Sequence, residues 1–80
     1  MFGLSEAQYL DLNKSQDHKC AICLVALEDL ADGEVHVDHC HTSDRVRGIL
    51  CRACNFALGA LKDNPESFER AANYLRSNPA

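Results

Sequence analysis

Cys20-Ala-Ile-Cys23 and Cys51-Arg-Ala-Cys54 repeat one spacing twice. A two-residue gap lets both thiolates of a pair face one tetrahedral zinc ion through a tight turn, and two such pairs close a four-thiolate shell with no position left for a substrate. The expected ion is therefore structural, one per chain, with its binding energy contributing to folding. A redox dithiol or a disulfide is the competing use of this motif, but a single zinc accounts for both pairs together. Between the pairs lies Val35-His36-Val37-Asp38-His39-Cys40-His41, which holds three of the four histidines. All of its polar side chains can bind metal or move protons, so the segment is either a second zinc site or a place where chemistry happens.

With the paired thiols committed to zinc, His36, Asp38, His39, Cys40, His41 and Asn55 remain. A cross-brace domain of the RING type would need a second complete ligand set from them. Cys40 and His41 could supply one pair, but the rest would come from His36, Asp38 or His39 at an awkward spacing. Catalysis uses the same types more naturally. A carboxylate (Asp38) and an amide oxygen (Asn55) are hard donors suited to Mg²⁺ or a similar ion, with positions left for water and phosphate. A neutral imidazole beside them (His39) can take a proton from water near neutral pH. A metal next to a general base is the minimum for hydrolysing a phosphodiester. Cys40 is left as a free thiol, expected to be buried.

The elements that must position these groups can be traced along the chain. Ser5 and Gln8 form a capping-box signature for a first helix over 5–15, in which Ala7, Leu10 and Leu12 give an imperfect apolar pattern. A short apolar run over 24–27 follows the first cysteine pair, and Ala31-Asp32-Gly33 signals a turn. Val35, Val37 and His39 alternate with His36, Asp38 and Cys40, which is the period of a strand and sets Asp38 and His39 on opposite faces if the strand is regular. Thr42-Ser43-Asp44 is a loop, Val46-Arg47-Gly48-Ile49-Leu50 a second short strand, and a helix is expected over 51–62. Asn64-Pro65 starts a last helix, whose Phe68, Ala71, Ala72 and Leu75 are expected to pack on the core.

With 80 residues, the chain is expected to be a single domain over 1–80. A domain of that size commonly needs a metal or a disulfide to be stable. No basic apolar leader and no membrane-length apolar run are present, which favours zinc in a reducing cytoplasm over secretion and disulfides.

The order C-A-I-C, V-D-H-C-H, V-R-G-I-L-C-R-A-C-N resembles the phage recombination endonuclease VII family within the HNH nucleases, also called ββα-metal or His-Me finger nucleases. It covers residues 4–74. The resemblance implies a small α+β zinc-stabilised fold, a two-stranded hairpin plus helix with flanking N- and C-terminal helices. It implies Cys20, Cys23, Cys51 and Cys54 as zinc ligands, Asp38 and Asn55 as ligands of a catalytic Mg²⁺ or Mn²⁺ ion, and His39 as general base. His41 matches a supporting family histidine, and His36 has a counterpart whose role stays open. The implied activity is metal-dependent DNA endonuclease, on duplex, nicked or branched substrate, in the cytoplasm of a bacterial or phage-infected cell. Phage resolvases of this type continue into helices that intertwine two subunits, whereas this chain stops at Ala80, so a monomer is expected.

The formal charge is -4. Four thiolates against one doubly charged zinc make the loaded chain more acidic still, which argues against tight, autonomous DNA binding. Arg45, Arg47 and Arg52, grouped in sequence around the hairpin and the helix start, are the candidates for phosphate contact. Weak, salt-sensitive and largely sequence-independent binding is expected, because no recognition helix or aromatic-studded basic stripe is present. The competing function is a non-catalytic zinc module for protein or nucleic-acid binding, with a second zinc in the histidine cluster.

Overall fold

A computed structural model describes residues 4–79 of the chain. It is a small α+β arrangement built on one antiparallel hairpin. Helix α1 (Glu6–Ser15) comes first, then a 3-10 turn (Leu27–Asp29), strands β1 (Val35–His39) and β2 (Val46–Cys51), and helices α2 (Arg52–Ala60) and α3 (Pro65–Ser77). The capping box forms as expected: Gln8 N–H donates to Ser5 Oγ, and Ser5 N–H donates to Gln8 Oε1. Tyr9 and Leu12, one turn apart, face the core from α1, whereas Leu10 points outward.

The core is small. Cys20, Leu27, Ile49, Leu50 and Cys51 are buried, and Leu30, Val35, Cys54 and Leu58 pack against them. Two of these five core residues are zinc-type cysteines, so the apolar interior and the four-cysteine cluster are one structural unit. The outer edge of β2 is satisfied by α1 without a third strand. Gln16, the C-cap of α1, accepts from Ile49 N–H through Oε1 at 2.8 Å and donates through Nε2 to the carbonyls of Ile49 (2.9 Å) and Lys19 (2.8 Å). Gly48 makes this approach possible, because a Cβ there would lie 3.0 Å from Gln16 Oε1.

The hairpin pairs Val35 with Cys51 and Asp38 with Gly48, and then its register shifts so that His39 faces Val46. Arg47 is the extra residue in that shift. A bulge of this kind re-aims side chains at a sheet edge, and it interrupts the simple alternation expected around Asp38 and His39. Cys40 N–H to Arg45 O and Asp44 N–H to Cys40 O, both 2.8 Å, close the loop between the strands.

Asn64 caps α3 by accepting from Glu66 N–H, with Pro65 as the first helical residue. The expectation that α3 packs on the core is not met. The helix makes no substantial contact with any other described element. Leu75 is 69% exposed and Ala71 is exposed, and of the four apolar residues only Phe68 and Ala72 are half-buried. The amphipathic pattern was real. However, the segment between α2 and α3 carries two consecutive residues of positive φ, Lys62 and Asp63, and the helix after them lies off the hairpin.

Candidate metal centre and catalytic cleft

The two cysteine pairs meet, but they are built differently. The first is a tight turn: Cys20 N–H donates to Val25 O at 2.9 Å and Leu24 N–H to Cys20 O at 3.1 Å, with Leu24 at φ 68. The second spans the junction of β2 and α2, where Cys51 is also the helix N-cap and its Sγ accepts from Cys54 N–H at 3.4 Å. The four Sγ atoms lie within 4.8 Å of one another, and Cys23 and Cys51 are 3.7 Å apart. Tetrahedral zinc with Zn–S bonds of about 2.3 Å calls for S···S separations of about 3.8 Å, so the cluster fits that ion.

Thiol acidities differ across the cluster. Burial by itself would raise Cys20, but backbone donors at Cys51, Cys23 and Ile22 outweigh it and bring this thiol down to about 6. At Cys23 the Val25 backbone lowers the pKa, but burial and the thiols of Cys20 and Cys51 prevail and raise it. Cys54 is pushed well up by burial first, then by Cys51, Cys20 and Cys23. Four thiols crowded together resist simultaneous ionisation, and a bound dication relieves that resistance.

Among the described residues, these four cysteines are the only set of three or more thiol, imidazole or carboxylate groups close enough to share an ion. The second zinc site considered for the histidine segment finds no such support. His36, Asp38, His39, His41, Asn55 and Asp63 instead line a separate cleft of about 300 Å³. Its walls come from β1, the hairpin loop, α2 and the segment before α3. All the residues expected to act in catalysis are thus brought to one cleft. Asp63 was missed: it stands nine residues past the last zinc cysteine, outside any motif, and only the turn after α2 returns it to the cleft.

Asp38 is buried, and its carboxylate accepts two hydrogen bonds from one guanidinium: Arg47 Nε to Oδ2 at 2.7 Å and Nη2 to Oδ1 at 3.0 Å. Arg47 Nη2 also approaches Asp63 Oδ2 at 3.5 Å. The Asp38 hydrogen bond, reinforced by the charges of Asp38 and Asp63, raises the Arg47 pKa above its ordinary value. His39 Nε2 lies 3.9 Å from Asp44 Oδ1, and the His39 and His41 rings are 5.4 Å apart and tilted. The His36 Nε2 is buried and without a hydrogen-bond partner. A buried carboxylate, a half-buried amide and an unsatisfied imidazole nitrogen on one cleft form a donor set that fits a hard or borderline divalent ion.

The arginines do not form one patch. Arg47 is engaged by the two aspartates, Arg45 lies by Cys40 on the hairpin loop, and Arg52 lines an apolar cleft with Cys23 and Phe56. Cys40 is half-buried, where a fully buried thiol was expected. The Ser43 hydroxyl, with the Ser43 and Thr42 backbone, brings it down to about 7.

A profile of the recombination endonuclease VII family matches residues 1–77. The chain belongs to this family. Among curated proteins, the Gene 59 proteins of Mycobacterium phages D29 and L5 are each 36% identical to it over 83 residues. Those alignments take in 99% of this chain but 47% and 48% of the relatives, so the chain spans about half the length of the curated relatives it matches. No solved structure matches it. None of the described helices is long and apolar enough to cross a membrane.

Proposed function

We propose that this chain is the nuclease domain of a ββα-metal (HNH) endonuclease that hydrolyses DNA phosphodiester bonds with little sequence preference. The observation that carries this reading is the convergence of Asp38, His39, His41 and Asn55 on one cleft beside the four-cysteine cluster. Family membership supports the nuclease class. Asp38 and Asn55 would hold Mg²⁺ or Mn²⁺. When bound, that ion supplies positive charge against the phosphate and the departing oxygen.

The remaining chemistry belongs to the chain. His39, partly exposed in the cleft, accepts a proton from water as the water oxygen bonds to phosphorus. The bond from phosphorus to the 3′ oxygen then breaks and that oxygen takes up a proton, leaving 5′-phosphate and 3′-hydroxyl ends. His41, beside His39, supports the phosphate or the leaving oxygen. The zinc cysteines take no part beyond fixing the turn over 20–23 against the junction of β2 and α2. Arg45 is the cation best placed on the hairpin loop to meet a neighbouring phosphate.

Plasmid cleavage with Mg²⁺ or Mn²⁺, compared with a His39→Ala variant of equal zinc content, tests the assignment. The variant should lose about 10²- to 10⁴-fold in rate. Equal cutting by the two proteins would remove His39 from the mechanism. Duplex, nicked, four-way-junction, single-stranded and RNA substrates assayed side by side would show which the domain prefers.

A further inference from the structure

Arg47 stands at the one place in the hairpin where β2 carries an extra residue, so its side chain is aimed by the register shift. Its guanidinium forks onto both oxygens of buried Asp38 and reaches Asp63 with the same Nη2. One cation is thus shared between a buried carboxylate and a more exposed one on the cleft rim, whose side chain is 26% exposed. Asp38 is also the carboxylate proposed to hold a divalent ion, and the role inferred for Arg47 rests on that assignment. The Asp38 oxygens have lone pairs for more than one partner, but a guanidinium and a dication on one small carboxylate repel each other strongly in a partly buried site. Leaving Asp38 with no cation is also unfavourable, since a buried unpaired charge is costly.

We infer that Arg47 is an exchangeable arm at the cation site: it neutralises Asp38 before a divalent ion binds, then withdraws onto Asp63, which keeps it at the rim of the cleft. Asp63 is then a positioning residue, acting on the ion only through Arg47. Its place on the turn suits the task, because Asp63 Oδ2 lies 3.5 Å from Nη2, one of the two nitrogens that fork onto Asp38.

The test is Mn²⁺ binding to the zinc-loaded chain without DNA, read from the electron paramagnetic resonance signal of free Mn²⁺. Asp38→Asn should abolish the bound ion. If it leaves Mn²⁺ binding unchanged, the site assignment itself fails. Given that loss, Asp63→Asn should weaken Mn²⁺ about fivefold or more, because Arg47 is then held by Asp38 alone. The exchange is isosteric, and asparagine tolerates the φ of 55 at this position. Arg47→Gln should tighten Mn²⁺ by a comparable factor, and adding Asp63→Asn to it should change nothing further. If Asp63→Asn weakens binding equally in both backgrounds, Asp63 touches the ion directly and the exchange is overturned. Should Arg47→Gln not fold, Arg47→Lys, which cannot fork onto a carboxylate, should still tighten Mn²⁺. An affinity unchanged in both Arg47→Lys and Asp63→Asn would overturn the proposal.

Discussion

At Ile49 the backbone N–H has Gln16 Oε1 as its partner, 2.8 Å away. The Gln16 carboxamide thereby gives β2 the bonds that another strand would have provided, at a buried residue where water cannot readily substitute. Gln16→Ala should therefore cost about 1–3 kcal/mol, read by denaturant unfolding in excess zinc. A change near zero would mean that water reaches Ile49. The side-chain requirement at Gly48 is linked to this contact. Gly48→Ala pushes on Gln16 Oε1 and should destabilise in the same direction, but not when Gln16 is already alanine. Asp38 shows the reverse dependence, since its burial is tolerated because a guanidinium forks onto it.

The two cysteine pairs act at the scale of elements, one closing the turn after α1 and the other locking the junction of β2 and α2. Zinc uptake must displace the protons held by Cys54 and Cys23, both raised, while Cys20 at about 6 gives up its proton more readily. Protons leave as zinc enters, so zinc affinity should rise with pH, by about tenfold per pH unit for each net proton released. Competition against a chromophoric chelator at pH 6 and pH 8 measures this, and an affinity that falls with pH would contradict it. Chelation should also unfold the hairpin, with loss of the circular dichroism signal of α2. In the first turn, Leu24 holds a left-handed φ of 68 and its side chain is 64% exposed. Such a conformation costs a non-glycine residue about 1–2 kcal/mol, and little packing is lost with the side chain. Leu24→Gly should raise stability by about 0.5–1 kcal/mol after glycine's own entropic cost, seen as a higher thermal midpoint in the zinc-loaded protein.

For the molecule as a whole, the long dimension of 43 Å against 21 Å reflects a hairpin core with α3 standing off it. Removing residues 65–80 should leave zinc content and cleavage intact and shift the thermal midpoint by no more than about 3 °C. A collapse of zinc binding on truncation would show that α3 supports the core. The molecule's acidity makes any DNA affinity depend on local charge. Arg47 is already spent on two aspartates and Arg52 lies on another cleft, so few cations are left for phosphate, and weak binding with a shallow salt slope is the expected outcome.

Periodic and short-range features were legible in the sequence. The capping box at Ser5, the cap at Asn64-Pro65, the presence of a strand over 35–39 and the paired cysteines each follow from neighbours a few residues apart. Three features were decided only by the tertiary structure. The apolar face of α3 could be read as helical, but its burial depends on where the turn at Lys62 and Asp63 sends the helix. Arg47 looked like a phosphate contact because it lies among arginines in sequence, but the register shift in β2 turns it onto Asp38. Asp63 carried no motif at all, and it joins the cleft only because α2 is one short helix whose far end lies over β1. Spacing along a chain fixes which side chains share a turn or a strand face. Which side chains share a cleft depends on chain reversals and register, and these are settled by packing around the buried cysteines.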